Sequence, residues 1–388
     1  MTREVPSFSN LSRRLALLAV VASLVLAVGA VTAPQRTWSN LLVAGSFLTT
    51  LALGGTLFIA LNYVSGAGWN VGFRRIPEAM SGLLLPAGLG LLAVLAIGRE
   101  TYYGWHPHGH GDVGTFWFKQ LWADPKFWML RAVVYVALWV LFSRAIVVVS
   151  RRQDRSGGLS LTVFNKRLSA IFLIVYAVTF SLASCDWLML LEPMWFSTIW
   201  GVYNFAGMLQ ATLATMVVLA ILLRKRGPLR EAFTDDHLHD LGKMLLGFSC
   251  FWMYIWFSQY MLIWYTNMPE ETSYYILRTH GPWGPMMVAN IVLNWIAPFF
   301  ILLPRPCKRN ESVMMKVAVV VLVGRWLDLY LMVFPATIGA KPVFGVWELG
   351  GACLLIGAFG WLFLRSFAKA NPVPRGDPLL SESLHYHC

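Results

Sequence analysis

Seven stretches of this chain contain no Asp, Glu, Lys or Arg: residues 15–35, 37–73, 79–98, 168–185, 193–223, 244–269 and 279–304. An α-helix needs roughly 20 such residues to cross a hydrocarbon core. The chain therefore reads as an all-α, polytopic integral membrane protein. Charged residues are 13% of its 388, about half the roughly 25% of soluble domains, which excludes an ordinary soluble enzyme. A β-barrel is excluded as well, because the runs lack the period-two alternation of strands that face a lumen.

Runs and intervening charges place about ten spans at 15–31, 41–64, 77–98, 127–150, 168–190, 195–223, 242–266, 281–303, 313–335 and 346–364. The whole chain, 1–388, is then one membrane domain. It divides into a first span (15–31), a first bundle (37–190), a second bundle (195–335), a last span (346–364) and a loose tail (369–388). A formal charge of +12 would suggest nucleic acid in a soluble protein. Here the cations are explained by topology, with no nucleic-acid partner. Most fall on the side that holds both termini, among them Arg13, Arg14, Arg74, Arg75, Arg151, Arg152, Lys166, Arg224, Lys308 and Arg309. The positive-inside rule makes that side, and both termini, cytoplasmic, as in a bacterial cytoplasmic (inner) membrane. Arg144 and Arg325 are placed inside spans; Arg144, two turns from a helix end, can snorkel and is read as structural.

Arg13 and Arg14 before an apolar run ending in Val28-Gly29-Ala30 also resemble a signal peptide. The length of the run, and Pro34 after Ala33, favour a retained helix. An internal echo links span five, "DWLMLLEP" from Asp186 to Pro193, with span nine, "DLYLMVFP" from Asp328 to Pro335. Each has an Asp seven residues before a Pro near the outer end of a helix. Spans four apart with the same direction fit two parallel four-helix bundles, spans two to five and six to nine.

The missing residue types narrow the chemistry. None of the eight histidines lies in the middle of a span, whereas a membrane b-type haem takes axial histidines inside a bundle. The five cysteines form no CxxC, so neither an iron–sulfur cluster nor a structural zinc site is encoded. Electrons, if any, must leave through another subunit. His106, His108 and His110 alternate in an external loop; with no carboxylate cluster nearby they suit docking of a partner better than a metal. His385, His387 and Cys388 in the tail are given no catalytic part.

Buried ionisable residues carry the positive signal. Arg325 and Asp328, three apart, share one face of span nine. A charge in the bilayer costs on the order of 3 kcal/mol even on the lenient insertion scale, so such residues face a cavity or each other. The pair is either a proton-accepting site or a neutralised packing contact. Asp186 is placed roughly three turns inside the outer end of span five, with Glu192 beyond it, and the two together suit an exit path by general-base logic. Glu192, Gln259 and Tyr330 are weaker members of the proposed relay. Ser258 and Gln259 in span seven, and Tyr203, Asn204 and Gln210 in span six, fit either a water wire or interhelical hydrogen bonding.

Four stretches taken together are specific: "SCDWLMLLEPMWFSTIWGVYNFAG" (184–207), "FSQYMLIWYTNMPEET" (257–272), "NWIAPFFILLPR" (294–305) and "GRWLDLYLMVFP" (324–335). They resemble the NrfD/PsrC-like membrane subunits of alternative complex III, most closely the ActF type, quinone-binding subunit 2. The resemblance implies a multi-subunit quinol:cytochrome c oxidoreductase of respiratory or photosynthetic electron transport. Its expected partners are a sister NrfD-like membrane subunit, an iron–sulfur subunit, c-type haem subunits, small membrane subunits and lipid. Haem c and iron–sulfur clusters then belong to the partners, and a quinone is the one candidate ligand here. The family's quinol site uses a His and an Asp; Asp186 matches the Asp, but this chain has no intramembrane His. Proton conduction or structural support, with Asp186, Arg325 and Asp328 as relay, is the expected role. Two other classes share these features: a quinol-binding anchor of a molybdopterin oxidoreductase, and a stand-alone secondary transporter, which should show interrupted helices.

Overall fold

The computed structural model describes residues 8–103, 121–122, 124–192, 194–339 and 341–387. The histidine loop (His106, His108, His110), Pro193 and Cys388 lie outside the described residues. Within them, every regular element is helical: α1 (Ser9–Thr32), α2 (Pro34–Ser65), α3 (Arg75–Ser81), α4 (Leu84–Tyr102), α5 (Pro125–Ser156), α6 (Leu159–Trp187), α7 (Trp200–Lys225), α8 (Asp235–Thr266), α9 (Pro269–Thr279), α10 (Gly284–Ile291), α11 (Ala297–Leu302), α12 (Arg305–Arg309), α13 (Glu311–Ile338), α14 (Val346–Phe367) and α15 (Leu380–Leu384). Nine helical segments among the described residues are long and apolar enough to cross a membrane: α1, α2, α3 with α4, α5, α6, α7, Gly281–Leu302, α13 and α14. The chain is an all-α, multi-pass membrane protein. Helix α8 is as long as any, with 32 residues, but its tryptophans and tyrosines hold its hydropathy below that of the nine.

Local signals set the helix ends. Pro34 and Pro125 open α2 and α5 at the first turn, where a missing N–H costs nothing. Asp124 caps α5 by accepting from the amides of Lys126 and Phe127. Asn310 caps α13 in the same way. Gly66, at φ 70°, takes the left-handed turn that ends α2.

Helices α1 and α14 run antiparallel. Leu15 and Ala19 meet Gly360 and Gly357, and Gly29 meets Trp347. The start of α1 and the end of α14 therefore share one end of the molecule, called here the tail face. At the centre, α2 lies against α3, α4, α6, α7, α13 and α14, and α7 against α6, α8 and α13. These two are the most buried spans and α1 the least. Gly54 lets them touch: a Cβ there would come within 1.9 Å of Thr212 Oγ1. Small residues at a crossing admit the backbone approach on which membrane packing depends.

One expectation is corrected here. The tail after 369, expected to be loose, packs onto the tail face. Ser383 accepts from the Gly72 amide at 2.9 Å and donates to the Trp69 carbonyl at 2.7 Å, Asp377 binds Arg74 at 2.6 Å, and Tyr386 donates to Asp240. Span three is not one continuous helix. It breaks at Gly82–Leu83 between α3 and α4, and a Cβ at Gly82 would collide with Ser366 Oγ of α14 at 2.2 Å.

Candidate functional site

Asp328 is 1% exposed and four groups from four helices hold it. Arg325 Nη1, one turn earlier on α13, donates to Oδ2 at 2.5 Å. The Tyr203 hydroxyl of α7 donates to Oδ1, the Asn290 amide of α10 to Oδ1 at 3.1 Å, and the Trp252 indole of α8 to Oδ2 at 3.3 Å. Space for the guanidinium comes from Gly207, where a Cβ would lie 2.4 Å from Arg325 Nη1. The other arm, Nη2, reaches Asn204 Oδ1 at 3.4 Å. The three-residue spacing thus forms the expected pair.

From Asp328 a polar chain runs towards the tail face. Asn290 Oδ1 accepts from Asn294 Nδ2 at 2.7 Å. The Asn294 carbonyl accepts from Gln210 Nε2 at 2.6 Å, and the same amide donates to Ser249 Oγ at 2.9 Å. Asn294 sits in a π-turn, Val292–Ile296, between α10 and α11. Such turns disrupt a regular helix and recur at functional sites.

In the other direction, a cavity of about 10 Å³, near the size at which one water fits, lies between Asp328, Tyr203, Tyr274 and Arg278. Arg278 at the end of α9 is fully buried. Its guanidinium donates to Glu192, to the Leu331 carbonyl at 2.8 Å and to the Tyr274 carbonyl at 3.0 Å, and stacks 3.5 Å over the Tyr274 ring. Glu192 thus stands at the outer end of the route that starts at Asp328.

Asp186 belongs to a separate cluster. Arg131 of α5 grips it bidentately, Nε to Oδ2 at 3.0 Å and Nη2 to Oδ1 at 2.9 Å. Tyr135 adds a bond at 3.1 Å and Trp122 one at 2.9 Å, while Arg131 lies 3.9 Å over the Trp122 ring. Asp186 falls in the last turn of α6, which ends at Trp187, and not three turns inside. The expected exit path through Asp186 and Glu192 together is not formed, because each carboxylate has its own arginine. A cavity of about 20 Å³ lined by Ser184, Trp187, Asn204 and Arg325 lies between the two clusters.

Gln259 is buried, and neither atom of its amide has a partner among the described residues. It is not part of the Asp328 cluster. Tyr330 is not in the relay geometry either. Two residues beyond Asp328 on the helix, it turns away, donating to the Val343 carbonyl at 2.7 Å and accepting from its amide at 3.0 Å, which pins the segment before α14.

Three groups escape a reading of sequence. Arg131 lies inside a span, as Arg144 and Arg325 do; its place four residues before Tyr135 on one helix face was the available signal. Arg278 looks like an ordinary loop cation. Arg74 and Arg75, assigned to a loop, are buried at the tail face. There Arg75 pairs with Glu78 and Asp154, and Arg74 with Asp377 at 2.6 Å and Glu78 at 3.5 Å. Glu78 itself is fully buried and accepts from Ser150.

The chain matches no family model and none of the curated proteins to which it was compared.

Proposed function

We propose that this chain is a proton-conducting and structural membrane subunit of a quinol:cytochrome c oxidoreductase of the alternative complex III type. In this reading the chain has no redox centre of its own. It spans a bacterial cytoplasmic membrane ten times, with α8 as the span that hydropathy alone does not count. The tail face, which carries most of the Lys and Arg, is cytoplasmic by the positive-inside rule. Helices α2–α6 form the first four-span bundle and α7–α13 the second, each with one Asp held by an Arg near its outer end. The sister membrane subunit, the iron–sulfur subunit and the c-type haem subunits are its partners.

The observation that carries the proton reading is Asp328, buried with Arg325 between the Asn290–Asn294–Gln210–Ser249 chain and the one-water cavity leading to Arg278 and Glu192. A proton that reaches Asp328 by water along this polar seam neutralises the carboxylate and loosens its hold on Arg325. The guanidinium is then held by Asn204 and by the water-sized cavity beside it. Return of Arg325 expels the proton through the outer cavity, where Glu192 releases it. The outer cavity is too small for a quinol ring, so no step passes through a quinone there.

Replacing Asp328 by Asn in the assembled complex, reconstituted in liposomes, should abolish proton translocation and leave quinol-driven cytochrome c reduction intact. An unchanged proton yield overturns the relay. Purification with its native companions tests the assembly itself: iron–sulfur and c-haem subunits should co-purify with the chain, and a molybdopterin partner would instead mark the anchor class. The break at Gly82–Leu83 and the π-turn at Val292–Ile296 are the interrupted helices a secondary transporter would have. Solute uptake by liposomes holding this chain alone is the result that would select that second reading.

A further inference from the structure

A cavity of about 840 Å³ opens between α14 on one side and α7, α13 and the start of α1 on the other. Its walls are almost wholly apolar, with Leu15, Leu219, Leu322, Ile356 and Phe359 among them. It runs from Phe8 and Arg226 at the tail face to Phe344 and Gly345 at the opposite one. On α14 alone the lining extends from Glu348 to Leu364, about 24 Å at 1.5 Å per residue. That exceeds the depth of one leaflet, half of a hydrocarbon core about 30 Å thick.

The two mouths differ in charge. At the opposite face Glu348 is already neutralised, by Arg36 at 2.5 Å and by the Asn40 amide at 3.1 Å. At the tail face Arg226 is exposed and sits 5.8 Å over the Phe8 ring. Its neighbours are engaged: Arg224 binds Asp235 and Glu311, and Lys225 binds Glu311. Among the described residues Arg226 has no carboxylate partner, and Arg13 and Arg14 add exposed positive charge on the first turns of α1.

We propose that this groove is a binding site for one anionic glycerophospholipid, with an acyl chain along α14 and the phosphate on Arg226. A guanidinium offers a phosphate paired donors in matching geometry. The charge at the two mouths sets the orientation, since the cation at the Glu348 end is already taken by its carboxylate, whereas Arg226 at the other end is free to take an anionic headgroup. The groove is lined by this chain alone and shares no residue with the proton relay.

The test is native mass spectrometry of the full-length protein in mild detergent, after delipidation and add-back of phosphatidylglycerol or phosphatidylcholine. The wild-type chain should retain one phosphatidylglycerol and discriminate against phosphatidylcholine by about tenfold or more, a difference of about 1.4 kcal/mol. Arg226→Glu, at an exposed position where folding is not at stake, should abolish that preference. Ala352→Phe, which fills the groove, should lose both lipids, while Ile174→Phe on the exposed face of α6 should lose neither. Equal retention of the two lipids, no retention by the wild-type chain, or a neutral prenyl lipid carried through purification in their place would each overturn the proposal. So would an Arg226→Glu protein that keeps its preference.

Discussion

Arg278 Nε donates a 2.8 Å hydrogen bond to the carbonyl of Leu331. In an unbroken helix that carbonyl would accept from the amide four residues on, but residue 335 is a proline inside α13 and has no N–H to give. The arginine supplies the missing donor and holds Glu192 with another nitrogen. The proline of the "DLYLMVFP" stretch therefore creates the acceptor that fixes a cation three residues above Asp328.

Replacing Arg278 by Met should lower stability by about 3 kcal/mol, the cost of leaving a buried acceptor and a carboxylate unpaired. Pro335→Ala returns an amide to Leu331, so the double variant should recover part of that loss. A double-mutant cycle read by thermal or denaturant unfolding in detergent checks it. Strict additivity of the two changes would mean that the proline and the arginine are unconnected.

The Arg131–Asp186 pair sits almost wholly out of water, with side chains 9% and 2% exposed. Arg131→Met and Asp186→Asn should each destabilise the protein by about 3–5 kcal/mol, because each leaves a buried polar group without its counterpart. The double variant should cost less than the sum of the two, and a cost equal to that sum would mean that the cluster does not act as a unit. Unfolding midpoints of the three proteins in one detergent give the answer.

How much of this was legible in the sequence depends on the range of the interaction. The uncharged runs announce spans because a charge-free stretch of that length has no place in water. The Arg325–Asp328 contact follows from helix geometry alone, three residues being about one turn. Nothing local says that Asp186 meets Arg131, 55 residues away, or that Arg278 meets Leu331, 53 away, since those contacts depend on how helices pack. The tail misled for a related reason: its polar, proline-rich composition reads as unfolded, yet Asp377 finds Arg74 across 303 residues. Helix α8 shows the limit of hydropathy, because Trp and Tyr pack inside membranes without scoring as strongly apolar.

The docked tail gives a further test. Asp377 and Glu78 together neutralise the buried Arg74, and Gly376 lies against the Gln153 carbonyl. Asp377→Ala should therefore free the segment after 369, making the peptide bond after Arg375 a site for trypsin that the intact protein resists. Equal cleavage rates in the two proteins would show that the ion pair does not hold the tail.

The central crossing can be tested by exchanging its two residues. Gly54→Ala puts a methyl 1.9 Å from Thr212 Oγ1 and 3.0 Å from its Cβ, and α2 and α7 are too tightly packed for either to step aside. Overpacking of this kind costs about 1–3 kcal/mol. Thr212→Gly alone should also destabilise, by about 0.3 kcal/mol of helix propensity, since threonine is already a poor helix former, and by whatever packing the threonine contributed. In the double variant the methyl from α2 occupies the space vacated on α7, so its midpoint should lie above that of Gly54→Ala alone. If the double variant is instead the least stable of the three, the two helices do not meet at these residues, and the close crossing that brings α2 against α7 is not what sets the spacing of the bundle around Arg325 and Asp328.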